Sequence, residues 1–181
     1  VLAMLLLGWA AGKGSTTVDD VFLQDAHDVV GERPSWLLVL TDWWLLGPVL
    51  VACLGVALCR RLWRVAAVVA ICPFVAIEID EALKRLFERH NGQYLEYPSG
   101  HTALAVAVMG MVVLVTGGRL WAVTAAVAVS LLAMLGEIGC GYHYFTDTVG
   151  AVLLATALVC IAARLAGGVH ATRGSPLVDA E

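Results

Sequence analysis

Three short stretches of this chain hold residues able to move protons or phosphate. Tyr97 to Thr102 reads YPSGHT, Gly141 to Gly150 reads GYHYFTDTVG, and ahead of both stand Lys84 and Arg89. In the first, Pro98 restricts the chain, Ser99 can cap a helix, and Gly100 has no side chain to hold a ligand off the backbone. The free N–H groups of a helix N-terminus attract phosphate, and His101 in the first turn could give or take a proton. In the second, His143 and Asp147 are four apart, one helical turn. A carboxylate on one ring nitrogen would leave the other free to attack. The bland alternatives are a capped helix with an interfacial histidine, and a belt of Tyr142, Tyr144 and Phe145 around a solvated pair. Either would serve for one stretch alone; together, at the ends of apolar runs, they point to chemistry.

The elements that must position these residues are membrane helices. Of 181 residues, 60% are hydrophobic and 14% charged, against about a quarter charged in ordinary soluble domains. Five apolar runs are near the roughly 20 residues that cross a bilayer: Trp36–Cys59, Leu62 or Val65 to about Phe87, His101–Thr116, Leu120–Ile138 and Thr146–Ala166. Val1–Ala11 is half that length and reads as the tail of a further helix. The expected fold is therefore all-α, a polytopic bundle with a six-helix core in one domain over 1–167. Residues 13–34 form a connector in which Val18, Val21, Phe22, Asp25 and Val29 fall on nearby helical positions, the pattern of an amphipathic surface helix. From about Gly168 the chain reads as a disordered tail. The net charge of −4 gives no support for a nucleic-acid partner. Cys53, Cys59, Cys72, Cys140 and Cys160 show no metal or redox spacing and read as small buried residues.

Alternation places the 13–34, 84–100 and 139–146 connectors on one membrane side. Arg60, Arg61, Arg64, Arg119, Arg164 and Arg173 fall on the other, which the positive-inside rule makes cytoplasmic. The expected location is a bacterial-type cytoplasmic membrane with the chemistry facing outward.

Lys84, then Pro98-Ser99-Gly100-His101, then His143 and Asp147, each at a loop–helix junction, resemble the motifs of the type 2 phosphatidic acid phosphatase superfamily over roughly residues 78–150. The resemblance implies a six-helix bundle and metal-independent cleavage of a phosphate ester, with no cofactor. It implies His143 as the nucleophile that forms a phosphohistidine and Asp147 as its orienting partner. His101 would protonate the leaving oxygen and then activate water, while Lys84, Ser99 and Gly100 hold phosphate oxygens.

Two positions depart from the family pattern. Seven residues after Lys84, where an arginine is usual, stands Asn91, itself expected at the substrate, and Arg89 is the residue expected to supply the phosphate contact instead. Six residues before His143, where another arginine is usual, stands Glu137. A carboxylate about 5 Å from a phosphate costs on the order of 3 kcal/mol per charge pair at an effective dielectric near 20. Glu137 is thus expected to be protonated, paired with Arg89, turned away, or used to bind a hydroxyl-rich or cationic part of the substrate. The resulting expectation is a phosphatase of lipid phosphates or pyrophosphates. Its rivals are a phosphotransferase that passes the group to an alcohol and an inactive lipid-binding or assembly subunit. The partners in the first reading are the lipid substrate and the bilayer.

Overall fold

A computed structural model describes residues 1–167; the expected tail and Arg173 lie outside the described residues. The helices are α1 (Leu2–Ala11), α2 (Thr17–Val30), α3 (Trp43–Cys59), α4 (Trp63–Phe87), α5 (Gly100–Val115), α6 (Leu120–Gly139) and α7 (Phe145–Leu165). A 3-10 segment (Ser35–Leu40) precedes α3, and two short strands, β1 (His90–Asn91) and β2 (Tyr94–Leu95), pair antiparallel between α4 and α5. All-α holds. By length and composition three segments can cross a membrane: Ser35–Cys59, Leu120–Gly139 and Phe145–Leu165. Helix α5 has 16 residues, a length of about 24 Å, and the second half of α4 carries Glu78, Asp80, Glu81, Lys84 and Arg85.

The helices begin where the sequence supplies caps. Thr16 and Asp19 form a reciprocal capping box at α2. The Asp42 carboxylate accepts the Trp44 N–H at 3.0 Å, and Ser99 Oγ accepts the Thr102 N–H at 3.3 Å. The Asp42 cap divides the first span, Ser35–Cys59, in two. Instead of one helix from Trp36, the chain runs as a 3-10 segment, breaks at Thr41–Asp42 and restarts at Trp43. At that break the Thr41 hydroxyl stands 2.9 Å from both the Leu38 carbonyl and Glu137 Oε1.

Helix α5 is the central post, touching α3, α4, α6 and α7. Its Ala103, Ala105 and Ala107 are fully buried. Ala76 of α4 and Ala151 and Ala155 of α7 pack against Ala103 and Ala107, while Ala105 belongs to the larger core cluster. Such small faces let helix backbones come close where no hydrophobic effect separates protein from lipid. Large side chains turn outward instead, among them Trp9, Val51, Ile71, Phe74, Trp121, Val127, Leu131 and Ile161. Cys59 and Cys160 are also exposed, which corrects their reading as buried residues. Cysteine is apolar enough to face hydrocarbon.

Helix α2 lies along α6 and α7. Its Val18, Val21, Phe22 and Val29 are exposed, with Phe22 stacked on Phe145 at 3.7 Å. Helix α1 docks on α7, and the buried Tyr97 hydroxyl donates to the Met4 carbonyl. Gly150 makes room for this tyrosine: a Cβ there would sit 2.6 Å from the Tyr97 ring. Tyr97 is wholly buried and cannot yield. Gly150→Ala should therefore cost roughly 1–3 kcal/mol of stability, read as a lowered midpoint of thermal unfolding in detergent.

Candidate active site

The predicted residues meet at one end of the bundle, where α4 finishes, α5 starts and the α6–α7 connector crosses. Their order there is set by Arg89, which is fully buried just after α4. Its Nε donates to the Gly14 carbonyl at 3.2 Å. Nη2 donates to the same carbonyl at 2.9 Å and to Asp19 Oδ2 at 2.7 Å. Nη1 donates to Asp147 Oδ1 at 2.8 Å and to Thr146 Oγ1. The guanidinium lies 4.6 Å over the Tyr144 ring. All five donors of the guanidinium are engaged. Asp19 completes the knot by accepting the Thr146 N–H at 2.8 Å and the Thr16 N–H at 2.9 Å. Burial opposes its ionisation, but these backbone N–H groups and the two threonine hydroxyls hold its carboxyl below the usual range. The expected Arg89 contact with phosphate is thus replaced by a clamp between α2 and α7. The expected pairing of Arg89 with Glu137 does not form either, because Asp19 and Asp147 are the nearer anions.

His143 is 8% exposed and lies in the connector before α7, not on the helix. The four-residue spacing to Asp147 is therefore not a helical turn, and Asp147 Oδ2 stands 3.9 Å from Nδ1. Asp147 instead bonds Arg89 with one oxygen and accepts the Tyr144 N–H at 3.0 Å with the other. The carboxylate in contact with His143 Nδ1 is that of Glu96. Sequence reasoning missed it, although Glu96 is the only acid between His90 and Gly100. The β1–β2 hairpin carries it in, with the Glu96 N–H bonded to the Arg89 carbonyl at 2.9 Å. Asn91 braces the same hairpin, its amide donating to the Gly141 carbonyl at 3.1 Å. Burial works against a charged His143 ring, but Asp147, Glu96 and Glu137 outweigh it and push the imidazole up to about 9.

His101 sits in the first turn of α5, 64% exposed, with its ring centroid 6.2 Å from that of His143. Ser99 is buried as the helix cap, and its backbone N–H reaches the Asp147 carbonyl at 3.2 Å. Gly100 admits the polar end of α4, since a Cβ there would meet Asp80 Oδ2 at 3.0 Å and Lys84 Nζ at 3.4 Å. Lys84 holds Asp80 at 3.1 Å and Glu81 at 3.0 Å, leaving one of three ammonium donors for another partner. Glu137 is 1% exposed. Its Oε1 accepts the Thr41 hydroxyl at 2.9 Å, and its Oε2 lies 3.9 Å from His101 Nδ1 without a hydrogen bond.

A family model described as the PAP2 superfamily matches residues 44–171. The chain belongs to the PAP2 superfamily. No curated protein and no solved structure matches it. As a PAP2 chain it is suited to cleavage of a phosphoric ester or a related phosphoryl transfer. The match takes in Lys84, the Pro98–His101 stretch, His143 and Asp147, and leaves out α1, α2 and Asp19. The anionic half of the Arg89 clamp is therefore supplied in part from outside the PAP2 region.

Two sets of side chains in this PAP2 site have donor atoms close enough for one cation. His101, Glu137 and His143 are one, and Glu96, His143 and Asp147 the other, each with its atoms within 4.8 Å of one another. In the second set Asp147 is already committed to Arg89 and the Tyr144 N–H.

Proposed function

We infer that this PAP2 chain is a membrane-embedded phosphatase of lipid phosphates or pyrophosphates that works through a phosphohistidine on His143. The observation that carries this reading is a buried imidazole with a carboxylate on Nδ1, opposite His101, with Lys84 against Gly100 at the start of α5. With Glu96 in contact at Nδ1, Nε2 is the nitrogen left to attack. It attacks phosphorus, the ester P–O bond breaks, and His101 gives its proton to the leaving oxygen. His101 then takes a proton from water, which attacks the phosphohistidine and releases phosphate. Lys84 and the α5 N-terminus offset charge on the equatorial oxygens. Asp147 acts through Arg89 and the Tyr144 backbone as a positioning residue.

The lipid substrate is supported by an apolar groove of about 780 Å³ between α3 and α4, lined by Trp43, Gly47, Pro48, Val51 and Phe74. It shares Trp43 with the polar pocket that holds His101 and Glu137. A chain in the groove would place its phosphate end at the histidines. Six spans with the site at the outer face complete the proposal, on the charge asymmetry of the connectors.

The test is phosphate release by purified protein from phosphatidic acid and from a polyprenyl pyrophosphate, with and without an alcohol acceptor and with EDTA. Release without acceptor, unchanged by EDTA, is the expected result. Product formed only with acceptor would make the protein a transferase on the same intermediate. No turnover and no labelled His143 with any substrate would sink the enzyme reading and leave a lipid-binding subunit.

A further inference from the structure

Glu137 is a buried acid at the site that the proposed phosphoryl transfer leaves unused. Its Oε1 is anchored by Thr41, while Oε2 is buried, has no hydrogen bond and lines a pocket of about 470 Å³. Asp42, Trp43, Tyr142 and His101 also line this pocket, and no lysine or arginine does. Trp43 and Tyr142 are both well exposed there. A phosphate dianion beside this carboxylate is repelled, and a neutral hydroxyl group leaves that repulsion in place. A cation removes it, and the faces of an indole and a phenol add to its attraction.

We propose that Glu137, Asp42, Trp43 and Tyr142 form a subsite for a positively charged group, so that the preferred substrate is a zwitterionic lipid phosphate with an ammonium close to the ester oxygen. The proposal rests on the phosphatase reading for the position of the phosphate. Distance supports it: donor atoms of His143 and Glu137 lie within 4.8 Å of each other. An ammonium two carbons from the ester oxygen sits about 4 to 5 Å from phosphorus by covalent geometry. Phosphorus at His143 thus brings that ammonium to Glu137. In this account the carboxylate at position 137 selects the substrate that an arginine there would exclude.

The experiment compares 2-aminohexadecyl phosphate with hexadecyl phosphate on the purified full chain. Binding is measured in parallel with the corresponding non-hydrolysable phosphonates, in which a methylene replaces the ester oxygen. The expected result is a preference of at least tenfold in kcat/KM and in affinity for the amine-bearing member. Glu137→Gln should remove it, Trp43→Leu should reduce it, and Glu137→Arg should reverse it. Equal handling of both members by the unmutated protein, or a preference that survives Glu137→Gln, overturns the proposal. So does an equal fall in kcat on both with a displaced pH profile, which would make Glu137 a partner of His101. Loss of binding in EDTA would put a divalent ion in the subsite instead of an ammonium. If neither phosphate is turned over, the phosphatase reading fails, and the phosphonate affinities still decide whether the subsite exists.

Discussion

Purified His143→Ala should lose phosphate release by on the order of 10⁴-fold or more, the effect of removing a covalent nucleophile. His143→Gln should do the same; since it also removes the imidazolium that faces Glu96, thermal unfolding is followed in parallel and activity compared on folded protein, which separates chemistry from folding. Retained turnover in both variants would exclude the phosphohistidine. The pH profile gives a second handle on the same residue. Because nearby carboxylates push His143 up to about 9, the ring is an imidazolium at neutral pH in the empty site, and only its neutral form can attack. The limb of the pH–rate profile that reports loss of the His143 proton should therefore lie on the alkaline side of neutrality, toward about 9. Glu96→Gln removes one of the carboxylates that hold the proton, so its rising limb should move toward neutral pH. The linkage to stability runs the other way. A raised histidine favours the fold fully below its unfolded value of 6.5, and that contribution is lost as pH rises through about 9.

Arg89→Ala should destabilise the protein by roughly 3–5 kcal/mol, because it leaves Asp19 and Asp147 buried without their shared cation. Arg89→Lys should recover only part of this, since an ammonium has three donors where the guanidinium uses five. The measurement is thermal or denaturant unfolding in detergent, set beside KM for a lipid phosphate. A variant that folds normally and shows only a raised KM would return Arg89 to the phosphate contact expected from its place in the sequence. The double change Arg89→Met with Asp19→Asn should be less damaging than the sum of its parts, because the two residues are in direct contact at 2.7 Å.

The expected site residues differ in how well sequence reasoning placed them. Lys84, Gly100, His101 and His143 were placed at helix ends by apolar periodicity and by the residues that start and stop helices, and these are local properties. Ser99 is a cap for the same reason. Arg89, Asn91 and Asp147 were read from spacing along the chain, and for them spacing misled. Asn91 bonds a backbone carbonyl fifty positions away in the connector after α6, and Asp147 serves Arg89 more closely than His143. Glu96 carried no periodic or motif signal, because its partner is reached only through a turn of hairpin. The break at Thr41–Asp42 inside an apolar run was equally hidden, since hydropathy does not register which backbone N–H groups a side chain will satisfy.

By itself the sequence determined the helical class, the end of the bundle at which the polar residues gather, and the PAP2 motifs around His101 and His143. These follow from periodicity and caps, which act over a few residues. Only the tertiary structure decided the pairings: Glu96 on His143, Asp19 and Asp147 on Arg89, Thr41 on Glu137. Each joins segments far apart in the chain, and a buried charge takes whichever opposite group the packed fold brings within reach.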